Sequence, residues 1–128
     1  MKKMSADSFS AARTYIMSHG RPLDQARFNF HFAGGDLSAL VEALAAFQNE
    51  DGGFGHGLEP DLRTPASSAI ATSLGMSILR EVDAAPELPL VNAAVRYHTV
   101  RLVVEGVELD WQTNWLDVGL SVSVPLGG

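Results

Sequence analysis

Between Ala46 and Pro60 the chain reads AFQNEDGGFGHGLEP, and this run limits the fold more than any other. It holds four of the twelve glycines, three carboxylates, His56, and a phenylalanine behind a Gly-Gly pair. Glycine reaches backbone conformations that a Cβ forbids, so clustered glycines mark a sharp reversal or a close backbone approach. The run is therefore either a joint between two elements or a site. As a joint, Gly52 and Gly53 are expected to reverse the chain at positive φ, with Gly55 beyond them. Asp51 can close the turn through its own side chain. Gln48 is expected at a helix C-terminus, where its amide can reach orphan carbonyls or the free N–H groups of the next helix. Phe54 then plugs the corner.

The flanks read as helices. DLSALVEALAAFQ has Asp36 as N-cap and a stripe of Leu37, Leu40, Val41, Leu44 and Phe47. In TPASSAIATSLGMSILREV, Thr64 is the expected cap and Pro65 the first helical residue. Ile70, Leu74, Ile78 and Val82 recur every four residues, and the opposite flank is small, from Ala66 to Ser77 through Gly75. Such a helix can be approached closely, which predicts an inner element.

Upstream, Phe9, Ala12, Tyr15 and Ile16 predict a helix over about 8–17, ended by Gly20 and Pro22. In LDQARFNFHFAGG, Phe28, Phe30 and Phe32 alternate as in a strand, but Asp24 can cap a helix that Gly34-Gly35 closes. Helix is the expectation, since a lone strand has no partner nearby. Downstream, the linker AAPELP leads into a helix with Val91, Ala94, Val95, His98 and Leu102 on one face. From Val107 a short helix and an extended tail are expected, with LSVSV alternating like a strand.

Length and charge exclude several function classes. A chain of 128 residues is one domain's worth. Its net charge of -6 argues against a nucleic-acid surface and against anionic lipid. With no cysteine there is no thiolate metal site, disulfide or thiol nucleophile. The polar N-terminus MKKMSADSFS lacks a secretory apolar run, and no stretch approaches a membrane span. The expectation is a cytoplasmic protein that binds no nucleic acid, metal or cofactor.

The chain also echoes itself. LVEALAAFQ starts at Leu40 and LVNAAVRYH at Leu90, an offset of 50 positions that pairs Phe47 with Tyr97. A period of this size suggests helix-pair repeats. They form repeat-like units over about 36–82 and 86–128 of one helical domain. The second is degenerate, for His98 stands where Gln48 stands and TVRLVV replaces NEDGGF.

Gln48, Gly52 and Phe54 resemble the Gln–Gly–aromatic repeat of squalene and terpenoid cyclases. The longer run DGGFGHGLEPDLRTPASSAIATSL is similar to the repeat of protein prenyltransferase β-subunits, where a glycine-rich turn leads into an Ala/Ser/Thr-rich inner helix. The resemblance covers about residues 36–97, and RPLDQARFNFHFAGGD resembles the start of bacterial proteins with this repeat. It implies an all-α fold, a partial α/α toroid or a bundle of helix hairpins, in which the Gln and the aromatic tie an outer helix to the next one. A closed ring takes about five or six such repeats, and this chain holds at most two and a fraction. It is expected to be part of a ring or to assemble with other copies. None of the catalytic residues transfers. The Asp-x-Asp-Asp and Asp-Cys-Thr-Ala-Glu motifs of the cyclases are missing, as is the cysteine of the prenyltransferase zinc site.

The polar set His56, Glu59, Asp61 and Arg63 precedes the inner helix, near where a toroid's cavity would open. It could bind a divalent metal, place an acid beside a base, or be a loop closed by an Asp–Arg pair. GGFGHG lacks the strand and lysine of a phosphate-cradling loop. His98 is expected half-buried in the core, while His19 and His31 have no evident partner in the sequence. Trp111 and Trp115 would share a face of a helix, as core plug or interface. Phe28, Phe30 and Phe32 either line an apolar cavity or pack against the next helix. Three functions stay open. The first is a non-catalytic protein of the repeat type, binding an apolar small molecule. The second is an enzyme on a prenyl or polycyclic substrate with Glu59 or Asp61 as acid. The third is a homo-oligomeric interaction module with an open helical edge.

Overall fold

Three helices build the first 46 residues. A computed structural model gives the fold and describes residues 1–100, 103–104, 107–108, 110–113 and 120–123, with side chains through residue 98. Two compact units result, Met1–Ala46 and Phe47–Gly128.

In the first unit, α1 spans Ala6–His19 and starts where the Ser5 hydroxyl accepts the Ser8 N–H at 3.1 Å. Helix α2 spans Pro22–Phe32, with Pro22 in the first turn, where a missing N–H costs nothing. Asp24 is not the cap. It sits one turn in, and its carboxylate accepts the Arg21 backbone N–H at 3.1 Å and the guanidinium Nε at 3.0 Å. Burial works to raise its pKa, but the Arg21 hydrogen bonds and charge outweigh this and leave it lowered. The phenylalanines do not alternate as in a strand. At about 100° per residue, Phe28 and Phe32 share a helical face and Phe30 lies away from it. Phe28 is buried, with ring centroids 5.6 Å from Phe9 and 5.2 Å from Phe32. The packing partner is thus the preceding helix, and Phe32 stays 65% exposed. Helix α3 spans Leu37–Ala45. Asp36 accepts the Ala39 N–H at 2.8 Å, and that bond, with one from the Ser38 hydroxyl, lowers its carboxyl pKa. Leu40 and Leu44 are fully buried. The helix stops at Ala45, so Gln48 lies beyond it rather than in its last turn.

In the second unit, α4 (Ala69–Glu81) packs against α5 (Pro89–Val100). Thr64 and Pro65 do not start α4. Thr64 closes a local turn on the Ala66 N–H at 3.2 Å, and Ser68 is the true cap, accepting the Ala71 N–H at 3.1 Å. Residues 65–68 are held by the glycine-rich corner, which keeps them out of the helix. The buried face of α4 keeps only half of the every-fourth stripe, Ile78 and Val82. Ala71, Thr72, Gly75, Ile78, Leu79 and Val82 are buried, whereas Ile70 is 64% exposed. In the first half of the helix the small residues Thr72 and Gly75 let the Phe54 segment approach closely. Helix α5 buries Leu90, Val91, Ala94, Tyr97 and His98. His98 is 2% exposed, deeper than the half-burial expected, and burial lowers its pKa. Asp83, at φ 50, reverses the chain after α4, and the Ala84 N–H returns to the Leu79 carbonyl at 3.0 Å.

The chain is all-α through residue 100. Beyond it, β1 (Val103–Val104) pairs antiparallel with β2 (Val107–Glu108), and β3 (Asp110–Thr113) with β4 (Leu120–Ser123). LSVS is a strand, but Trp111 lies in β3 opposite Val122, so it is not on the helix expected there. Valine and threonine favour this extended geometry. Trp115 and Leu102 fall outside the described residues. Among the described residues, no helix is long and apolar enough to cross a membrane.

Candidate functional site

The run from Phe47 to Gly55 folds back on itself as a miniature hairpin. Asn49 N–H reaches the Gly53 carbonyl at 2.8 Å, Gly55 N–H reaches Phe47 at 2.9 Å, and Gly52 N–H closes on Asn49 at 2.9 Å. Gln48 and Phe54 form an antiparallel bridge at its centre. Gly52 sits at φ 88, where a Cβ would fall 2.2 Å from the Ala93 carbonyl oxygen of α5. Gly53 does not have positive φ. Its reason to be glycine is crowding, since a Cβ there would lie 2.6 Å from Ser67 Cβ and 2.7 Å from the Tyr97 ring.

Side chains bind this hairpin to three other segments. Gln48 Nε2 donates to the Gly52 carbonyl and to the Leu90 carbonyl, each at 3.0 Å. Its target is therefore a carbonyl in the first turn of α5, not an N–H of α4. Asp51 accepts the Gly53 N–H at 3.0 Å and the Ser67 hydroxyl at 2.7 Å. Phe54 N–H donates to the buried Thr72 hydroxyl at 2.9 Å, which donates in turn to the Ser68 carbonyl at 2.7 Å. Ser68 N–H returns to the Phe54 carbonyl at 3.1 Å. The Phe54 ring is fully buried and fills the notch at Gly75, where a Cβ would stand 2.6 Å from Phe54 Cδ2. Gly75 looks like a helix-weakening residue in the sequence. In the fold it is the socket for the plug.

Asn49 was not singled out by sequence reasoning, yet it organises the polar rim. An ionised Asp51 can only accept, so Ser67 donates to it. The Ser67 oxygen then accepts from Asn49 Nδ2 at 2.9 Å, and the same nitrogen donates to the Pro65 carbonyl at 3.0 Å. Asn49 Oδ1 is thereby turned toward His56, whose Nε2 donates to it at 2.6 Å. This chain of directions leaves His56 Nε2 as the donor to Asn49. His56 is exposed and held at φ 55, a left-handed conformation that costs a non-glycine residue about 1 kcal/mol or more. The only sequence signal for Asn49 is its place beside Gln48 at the head of the glycine-rich turn.

The remaining polar set does not converge. Glu59 Oε1 accepts the Asp61 backbone N–H at 3.4 Å, and Arg63 Nε points to the Pro60 carbonyl at 3.5 Å. Asp61 and Arg63 form no ion pair with each other, so the loop is closed by backbone contacts, including Leu62 N–H to the Glu59 carbonyl at 3.0 Å. Leu58, fully buried, anchors it from below. Among the described residues, no group of three or more His, Asp or Glu side chains is placed to hold a metal ion. Of the other histidines, His19 stacks on Tyr15 with centroids 4.4 Å apart, and His31 stands edge-on to Phe30 at 5.2 Å.

Comparisons with protein-family models, with curated proteins and with solved structures each find no match to the chain.

Proposed function

We propose that this chain is a non-catalytic helix-hairpin module of the prenyltransferase and squalene-cyclase repeat type, a segment of an α/α toroid whose helices receive an apolar small molecule. What carries the reading is the way the corner is used. Gln48, Asn49, Asp51, Ser67 and Thr72 all direct their side chains to groups of the fold itself. A catalytic loop needs polar groups aimed at an absent reactant. Here the groups in the resembling motif are engaged in closure, and the nearby carboxylates Glu59 and Asp61 do not face a shared point. The missing cyclase and prenyltransferase motifs support the same conclusion.

The test is a titration with an isoprenoid alcohol such as farnesol, followed by Trp111 and Trp115 fluorescence, with mass spectrometry of the recovered alcohol. Saturable binding with unchanged alcohol is expected, and Asp61→Asn should leave both results unaltered. Conversion of farnesol or squalene that Asp61→Asn abolishes would establish the enzyme reading instead. The exposed Ile70 on α4 favours a second reading, an interaction surface for another copy. For that reading, sedimentation should show mass rising with concentration, and a constant monomer would remove it.

A further inference from the structure

We draw no further inference here: the strongest candidate, the exposed apolar surface patch of the N-terminal unit where Phe32 lies against Phe9 at the end of α2, carries nothing because nothing in the structure shows what covers it.

Discussion

The corner at residues 48–55 and the loop at residues 56–63 are adjacent, similar in polarity and opposite in construction. In the corner, Gly52 through Gly55 are buried, and three polar side chains reach across to segments distant in sequence: Gln48 to Leu90, Asn49 to Pro65, Asp51 to Ser67. In the loop, Glu59, Asp61 and Arg63 bond no farther than three residues away. Where a long-range bond is withdrawn from water, as the part-buried one from Gln48 to Leu90 is, breaking it is costly because its partner is left unsatisfied. Local bonds in an exposed loop can be exchanged for water at little cost. Polar residues alone therefore do not distinguish a joint from a site. What distinguishes them is how far in the chain their partners lie and whether water can replace those partners.

The sharpest way to break this contrast is to remove the plug. Phe54→Ala should destabilise the protein by about 3–5 kcal/mol, as large aromatic truncations in cores do. Urea unfolding would measure it, and a cost near zero would mean that the ring does not fill the Gly75 notch. Next comes Gly53→Val. With φ outside the left-handed region, the loss of about 1–3 kcal/mol expected comes from overpacking against Ser67 and Tyr97. If crowding is the cause, Gly53→Ala already brings a cost through its Cβ, and a neutral Gly53→Ala would contradict it. Smallest is Asp61→Asn in the loop, expected within about 0.5 kcal/mol of wild type, as for surface changes without special contacts. A cost comparable to that of Phe54→Ala would erase the distinction between the two regions.

Helix periodicity and punctuation made much of the α-helical order legible in the sequence. Asp36 is a cap in both the sequence and the structure, and Leu40 and Leu44 are core in both. The errors have a common source in long-range competition for backbone groups. Thr64-Pro65 carries strong local start chemistry, yet Asn49 holds the Pro65 carbonyl and Phe54 holds Ser68 N–H, so α4 starts only at Ala69. Nothing within those few residues announces a partner 16 positions away. The every-fourth stripe of α4 holds at Ile78 and Val82 but fails at Ile70 for a related reason. Ile70 has the most hydrophobic side chain of its turn, but the approach of Phe54 selects Gly75 and Thr72 for the interior. Around the corner, Asp51 closing its own turn on Gly53 was legible, while the long-range targets were not. Gln48 reaches α5, and the tie between Asn49 and His56 depends on hydrogen-bond directions set from Asp51 onward. The likeness of LVEALAAFQ to LVNAAVRYH marks two helices, α3 and α5, each burying its leading leucine.

The central claim is that the corner is a joint in which Phe54 and Gly75 interlock, and a double-mutant cycle between them tests it. In a free helix interior, Ala is more stable than Gly by about 0.5–1 kcal/mol. With Phe54 present, Gly75→Ala should be destabilising, because the new Cβ would meet the ring at 2.6 Å. In the Phe54→Ala background the same change should become stabilising, so its effect reverses sign. If Gly75→Ala stabilises both backgrounds equally, the ring and the notch are independent, and the corner is not the joint described above.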